Sequence, residues 1–171
     1  MSEAERLSRA APVGALSPMH ECIARFYAAY RSRDVERLDD ILDDDIEWFM
    51  AGPAEYFDYY GARRGKTAVI EAVTRIMPCY FRISDFDFDH ILVDGQRVAT
   101  SGRIRARQRD TGRLIRIGFA HFLRFESGRL ISLRSVSDTF DVAEQVVGHP
   151  IDVTREMECV SLAPEDDFSA V

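Results

Sequence analysis

Residues 115–140, IRIGFAHFLRFESGRLISLRSVSDTF, decide the fold. Ile115, Ile117, Phe119, His121, Leu123 and Phe125 recur with period two, so one face of this segment is apolar except for a single histidine. His121 therefore points inward. Ser127-Gly128 reads as a two-residue hairpin turn into a returning strand that carries Leu130, Ser132, Arg134, Val136 and Asp138 on one face. That turn sets residue 121 opposite 134 and brings Asp138 onto the histidine's face, whereas a slip of one residue would turn Asp138 outward.

The same alternation extends back to Phe81, punctuated by Asp94-Gly95 and Asp110-Thr111-Gly112, and predicts an antiparallel meander over 81–140. Phe86, Phe88, His90 and Leu92 share one face of its first strand, and Asp85, Asp87 and Asp89 the other. On the second strand Val98, Thr100, Gly102 and Ile104 oppose Arg103, Arg105, Arg107 and Arg109. A three-residue loop at 94–96 matches the apolar faces, and sets Asp87 opposite Arg103, Asp85 opposite Arg105 and His90 opposite Thr100. The arginine stripe then has carboxylate partners, which argues against a phosphate or nucleic-acid track. His90 and His121 fall two strand spacings apart, about 10 Å.

Before the meander, Ile23, Phe26, Tyr27 and Tyr30 predict an amphipathic helix over 19–32, entered through Ser17 and Pro18. Asp34 caps a second, short helix with Val35, Leu38, Ile41 and Leu42 as its apolar stripe, ended by the acidic run Asp43 to Asp45. IEWFMAG reads as a strand and PAEYFDYYGARRG as an aromatic loop. A third helix runs from Lys66 to about Met77, stopped by Pro78. TFDVAEQVVG suggests a short terminal helix for which Asp138 is an alternative N-cap. The segment after Pro150 is expected to pack on the surface to about Leu162 and to fray beyond Pro164.

A chain of 171 residues fits one domain with a full core. It has no apolar run long enough to span a bilayer, and its polar start lacks a secretory signal, so a cytoplasmic location is expected. Cys22, Cys79 and Cys159 are odd in number and widely spaced, which suggests reduced thiols. The net charge of −7 disfavours nucleic acid and anionic membrane and leaves small molecules or proteins as partners.

The stretches FYAAYRSRDVERLDDILDDDIEW, GKTAVIEAV and ESGRLISLRSVSDTFDVAEQV resemble the NTF2-like superfamily, which includes ketosteroid isomerases, limonene epoxide hydrolases, scytalone dehydratases and SnoaL-like polyketide cyclases. The resemblance implies an α+β, cystatin-like cone of three N-terminal helices on a curved antiparallel sheet. It covers a SnoaL-like domain at 18–148, between a flexible N-terminal segment (1–17) and a C-terminal extension (149–171). It also implies a homodimer paired through the sheet face away from the pocket, a face expected to carry Arg103, Arg105, Asp85 and Asp87.

Carried over residue by residue, the resemblance is mixed. The isomerase's tyrosine donor falls on Phe26, its aspartate base on Trp48 and its protonated aspartic donor on His121, which can still donate. The epoxide hydrolase's last-strand aspartate matches Asp138, but its arginine and second aspartate fall on Gly102 and Ile104. The cyclase pattern of one histidine and one aspartate on the last two strands is kept best.

The implied chemistry is acid/base work on a small apolar carbonyl or hydroxyl compound: enolisation, aldol closure or dehydration, with no metal or organic cofactor. The expected catalytic residues are His121, Asp138 and His90. Phe26, Tyr30, Trp48, Tyr56, Phe88, Phe119 and Arg134 are the expected substrate contacts, with Arg134 alternatively pairing with Asp138. Scytalone dehydratases use two histidines together with tyrosines, so Tyr27, Tyr30, Tyr56, Tyr59 and Tyr60 keep a dehydratase reading open. The alternative is a non-catalytic binding or dimerisation module, in which His121 is a satisfied core group and the cavity is filled.

Overall fold

The structure, a computed structural model, describes residues 17–152, so the expectations for the N-terminal segment, the tail beyond Asp152 and Cys159 lie outside the described residues. Helix α1 (Pro18–Ser32) starts with proline in its first turn and ends at Arg33, whose left-handed backbone (φ 57°) reverses the chain. Its inward stripe of Ile23, Phe26, Tyr27 and Tyr30 is buried against the sheet, each such side chain contributing about 1.5–3 kcal/mol. Asp34 caps α2 (Val35–Ile41) by accepting the Arg37 amide at 3.1 Å. Helix α3 (Lys66–Glu71) widens into a π turn over Ala72–Ile76 and closes as a 3-10 turn over Met77–Cys79. Helix α4 (Thr139–Val147) follows the sheet.

Strands β1 (Leu42–Met50), β2 (Gly61–Arg64), β3 (Phe81–Asp94), β4 (Arg97–Gln108), β5 (Leu114–Glu126) and β6 (Arg129–Ser137) form one sheet in the order β2-β1-β6-β5-β4-β3. The β1/β6 pair is parallel and the others antiparallel, so the sheet is mixed. Two expectations for the N-terminal half change. Asp43, Asp44 and Asp45 belong to β1 rather than to a helix end, and the aromatic loop contains β2. Lys66 reaches Asp44 at 2.8 Å and Asp39 at 3.1 Å, tying α3 to the acidic run.

The meander holds, but three single-residue bulges set its registers. The β3/β4 loop is two residues long, with Asp94 opposite Arg97, and an extra residue at Asp89 then restores the expected pairs Asp87 with Arg103 and Asp85 with Arg105. On the loop side of that bulge the faces are exchanged: Ile91 turns inward, Leu92 turns outward, and His90 lies opposite Ser101 instead of Thr100. A second bulge falls at Ser84.

At the last hairpin, Ser127 (φ 49°) and Gly128 (φ 79°) form the expected tight turn, with both residues in the left-handed region. Arg129 pairs with Glu126 and Leu130 with Phe125, but Ser132 then pairs with Arg124, so Ile131 is the extra residue. Every later position on β6 is displaced by one. Leu133 and Ser135 face the core, and Arg134, Val136 and Asp138 do not.

The outer face is divided. Toward one end, Arg105 bonds Asp85 at 2.5 Å and Asp87 at 3.1 Å, with Arg31 joining Asp85 at 3.6 Å. Toward the other, a row in register across the strands, Ala62, Phe49, Arg134, Phe122, Ala99 and Leu92, leaves Phe49, Phe122 and Leu92 exposed. The Arg134 guanidinium lies 5.1 Å from the centre of the Phe49 ring.

Candidate functional site

One row of inward residues crosses the sheet as Ile91, Thr100, His121, Ser135 and Met50. The rows on either side, Val98, Leu123, Leu133 and Trp48, and Gly102, Phe119 and Ser137, contribute mostly apolar wall. Thr100, His121 and Ser135 are thus three adjacent polar side chains, each buried, in an otherwise apolar interior. Above them Tyr27 of α1 brings its hydroxyl to 2.6 Å from Thr100 Oγ1 and 2.9 Å from His121 Nδ1. The Tyr27 ring lies almost parallel to the imidazole, at 8° with centroids 5.9 Å apart.

Burial fixes the protonation of this group. Desolvation lowers the His121 pKa from 6.5 to about 3, so the imidazole is neutral at physiological pH. Desolvation likewise raises the pKa values of Tyr27, Tyr30 and Tyr59, keeping all three phenols protonated. His121 Nε2 and the Ser135 hydroxyl have no hydrogen-bond partner among the described residues. Trp48 Nε1 is wholly enclosed without one.

Beside the polar row lies a cleft walled by Tyr30, Met50, Tyr59, Tyr60, Met77, Phe81 and Phe119, with Ser135 and Ser137 on its floor. Phe119, 4.5 Å from the imidazole between ring centres, separates His121 from most of this space. Only about 30 Å³ is empty, room for a water molecule rather than for a ligand. The walls include two methionines, whose unbranched side chains repack readily.

Of the expected catalytic residues, His121 alone faces the interior. Asp138 is exposed and caps α4, its Oδ1 accepting the Asp141 amide at 3.1 Å. The bulge at Ile131 turns it away from His121. His90 is exposed beyond the bulge at Asp89, with Nδ1 3.2 Å from Ser101 Oγ. Among the expected substrate contacts, Tyr30 and Phe119 line the cleft. Phe26 and Trp48 pack behind Tyr30, with ring centroids 5.7 and 5.9 Å from it. Phe88 lies 6.0 Å from Phe119 and 4.7 Å from Tyr27. Tyr56, 79% exposed, and Arg134, on the outer face, do not reach the cleft.

The Tyr27 bond to His121 and the place of Ser135 were not legible in advance. The spacing of Ser135 and Ser137 is their sequence signal, but it needs the bulge to point inward. Among the described residues no three or more histidine, cysteine, aspartate or glutamate side chains gather as metal ligands. No helix among them is long and apolar enough to cross a membrane.

Residues 23–133 match the SnoaL-like domain family. A provisionally named isomerase from Rhodopseudomonas palustris is similar at 32% identity over 87% of this chain and 98% of that one, with a TM-score of 0.67. An epoxide hydrolase of the limonene type from M. tuberculosis is similar at 16% identity, over 79% of this chain and 93% of the other (TM-score 0.63). A provisionally assigned polyketide cyclase from Streptomyces antibioticus is similar at 19% identity, over 75% and 98% (TM-score 0.62). At these lower identities the last two bear on the fold alone. No curated protein matches the chain.

Proposed function

The chain belongs to the SnoaL-like domain family, and from that premise we propose that it is an isomerase, cyclase or dehydratase acting on a small, uncharged, mostly apolar compound bearing a carbonyl or hydroxyl group. One observation carries this reading: the buried polar row Thr100, His121 and Ser135, in which the unpartnered Ser135 hydroxyl belongs to the floor of an aromatic cleft and His121, with Nε2 unpartnered, is its neighbour across the strand pair. A polar atom that no protein group meets is open to a ligand's polar group. His121 is the residue proposed to touch the ligand. Tyr30 and Phe119 form the wall against which a flat apolar body would rest, backed by Phe26, Trp48 and Phe88.

The cleft carries no group charged at neutral pH, which favours an uncharged ligand. Admission requires Met50, Met77 or the segment bearing Tyr59 and Tyr60 to move, since about 30 Å³ is open at rest. That small volume favours a second reading, a non-catalytic pairing or ligand-sensing module. In both readings we propose a homodimer in which two outer faces meet across Phe49, Phe122 and Leu92, beside a groove of about 390 Å³.

The deciding experiment is a titration of labelled protein with small ketones and phenols, followed by a turnover assay on every compound that binds. The enzyme reading expects resonances of His121, Ser135 and Phe119 to move, and His121→Ala to lower kcat/KM by about 100-fold. Binding without turnover would leave the sensing module, and shifts confined to other residues would remove the site.

A further inference from the structure

From the arrangement of Thr100, Tyr27 and His121, we infer that a one-way chain of hydrogen bonds holds His121 as the Nε2–H tautomer, so that it offers a neutral N–H donor to a ligand's carbonyl oxygen. Thr100 and Tyr27 are then positioning residues. The ligand half of this inference rests on the pocket reading above, whereas the tautomer half does not.

The direction of the chain follows from counting protons. Tyr27 has one hydroxyl proton and two neighbours, Thr100 Oγ1 at 2.6 Å and His121 Nδ1 at 2.9 Å. If Thr100 donates to Tyr27 and Tyr27 donates to Nδ1, both hydroxyl protons and the Nδ1 lone pair are used. Only Nε2–H is then left over. If His121 instead donates from Nδ1 to Tyr27 and Tyr27 donates to Thr100, the Thr100 proton has no acceptor and the Nε2 lone pair has no donor. If Thr100 and Nδ1 both donate to Tyr27, the phenol proton is stranded along with that lone pair. Thr100 and Tyr27 make no other side-chain hydrogen bond among the described residues. The first arrangement strands one polar group and the others two, in a place where Tyr27 is wholly buried and Thr100 and His121 nearly so. The cost of a buried unmatched group makes the Nε2–H form predominant by about tenfold or more.

The consequence for chemistry is specific. A neutral imidazole N–H stabilises developing negative charge on oxygen without itself being protonated, and Tyr27 prevents the ring from turning over. A carbonyl oxygen becoming an enolate is the acceptor such a donor suits. A ligand meeting His121 through a hydroxyl proton would find no lone pair there.

The test is nitrogen NMR of histidine-labelled protein without ligand. The expected spectrum for His121 has Nε2 carrying the proton and Nδ1 bare, and a proton on Nδ1 would overturn the inference. In Tyr27→Phe the Nδ1 resonance should shift as its donor is lost, while Thr100→Ser should keep the wild-type pattern. An unchanged Nδ1 in folded Tyr27→Phe would count against the chain. Because the wild-type spectrum alone fixes the tautomer, a variant that fails to fold does not decide the matter. For the ligand half, acetophenone is compared with ethylbenzene, which has the same outline without the oxygen. Acetophenone should bind about tenfold or more tightly and move the Nε2–H proton. Equal binding, or an unmoved proton, would overturn the carbonyl assignment. If neither compound binds, the ligand half falls with the pocket reading and the tautomer stands or falls on its own spectrum.

Discussion

Tyr27 and His121, 94 positions apart in sequence, are joined by a 2.9 Å hydrogen bond between the phenol oxygen and Nδ1 in the centre of the core. The bond pins α1 to the middle of β5. It also places the interior histidine where water cannot stabilise a positive charge, and that has a measurable effect on folding.

An unfolded histidine titrates near 6.5 and His121 in the folded chain near 3. Between these values the unfolded state binds a proton that the native state does not, so stability falls as the pH falls. The contribution is complete above about pH 6.5 and declines toward pH 3, by about 1.4 kcal/mol per pH unit. Carboxylates add their own losses below about pH 5, so the comparison belongs between about pH 5 and 6. Denaturant melts of wild type and His121→Gln should differ there in slope by about one proton. Parallel slopes would show that His121 titrates normally.

Asp138→Ala should lower stability by about 1 kcal/mol, the usual effect of losing a helix N-cap. Asp138→Asn should be nearly neutral, because asparagine caps as well. Neither should change ligand affinity or turnover by more than about twofold, since the carboxylate faces away from the cleft. A hundredfold loss of activity in folded Asp138→Asn would restore it to the site.

Gly102 sits where β3 bulges toward it, and a Cβ there would collide with the Asp87 carbonyl oxygen. The obstacle is backbone, which cannot swing aside as a side chain would. Gly102→Ala should therefore destabilise the protein by about 2 kcal/mol or more, readable as a lowered Tm. By contrast Gly118→Ala, with open space around its Cβ position, should cost little.

If two copies pair through their outer faces, light scattering of the wild type should give twice 19.5 kDa. Phe122→Arg, which adds a charge beside Arg134 and Arg124 on that face, should return the single-chain mass with an unchanged circular dichroism spectrum. A wild type of single-chain mass at micromolar concentration would refute the pairing.

The elements of the fold were legible because period is a property of the string. The helix stripe of Ile23, Phe26 and Tyr30 and the inward set from Ile115 to Phe125 both follow from spacing alone. The inward histidine belonged to that second pattern. The partners did not, because facing across strands depends on register, and the bulges at Ser84, Asp89 and Ile131 are marked by no glycine or proline on the bulged strands themselves; Gly102, which admits the bulge at Asp89, lies on the strand opposite. The pairing of Asp85 with Arg105 came out as expected only because a loop one residue shorter was offset by the bulge at Asp89. No such compensation follows Ile131, and Asp138 therefore points away from the residue with which the sequence paired it. The bond from Tyr27 joins helix to sheet, a relation that alternation within a strand does not encode.

The bulge at Ile131 also means that β6 holds two alternative surfaces in a single string of letters. Closing the bulge with every residue kept would slide the strand by one and bring Arg134, Val136 and Asp138 to the interior, exchanging a neutral floor for a charged one, whereas deleting Ile131 would leave Leu133 opposite Leu123 and Ser135 opposite His121 in an unbroken ladder. The charged face of β6 is thus one register slip away from the histidine, and the spare residue at Ile131 is what keeps it outside.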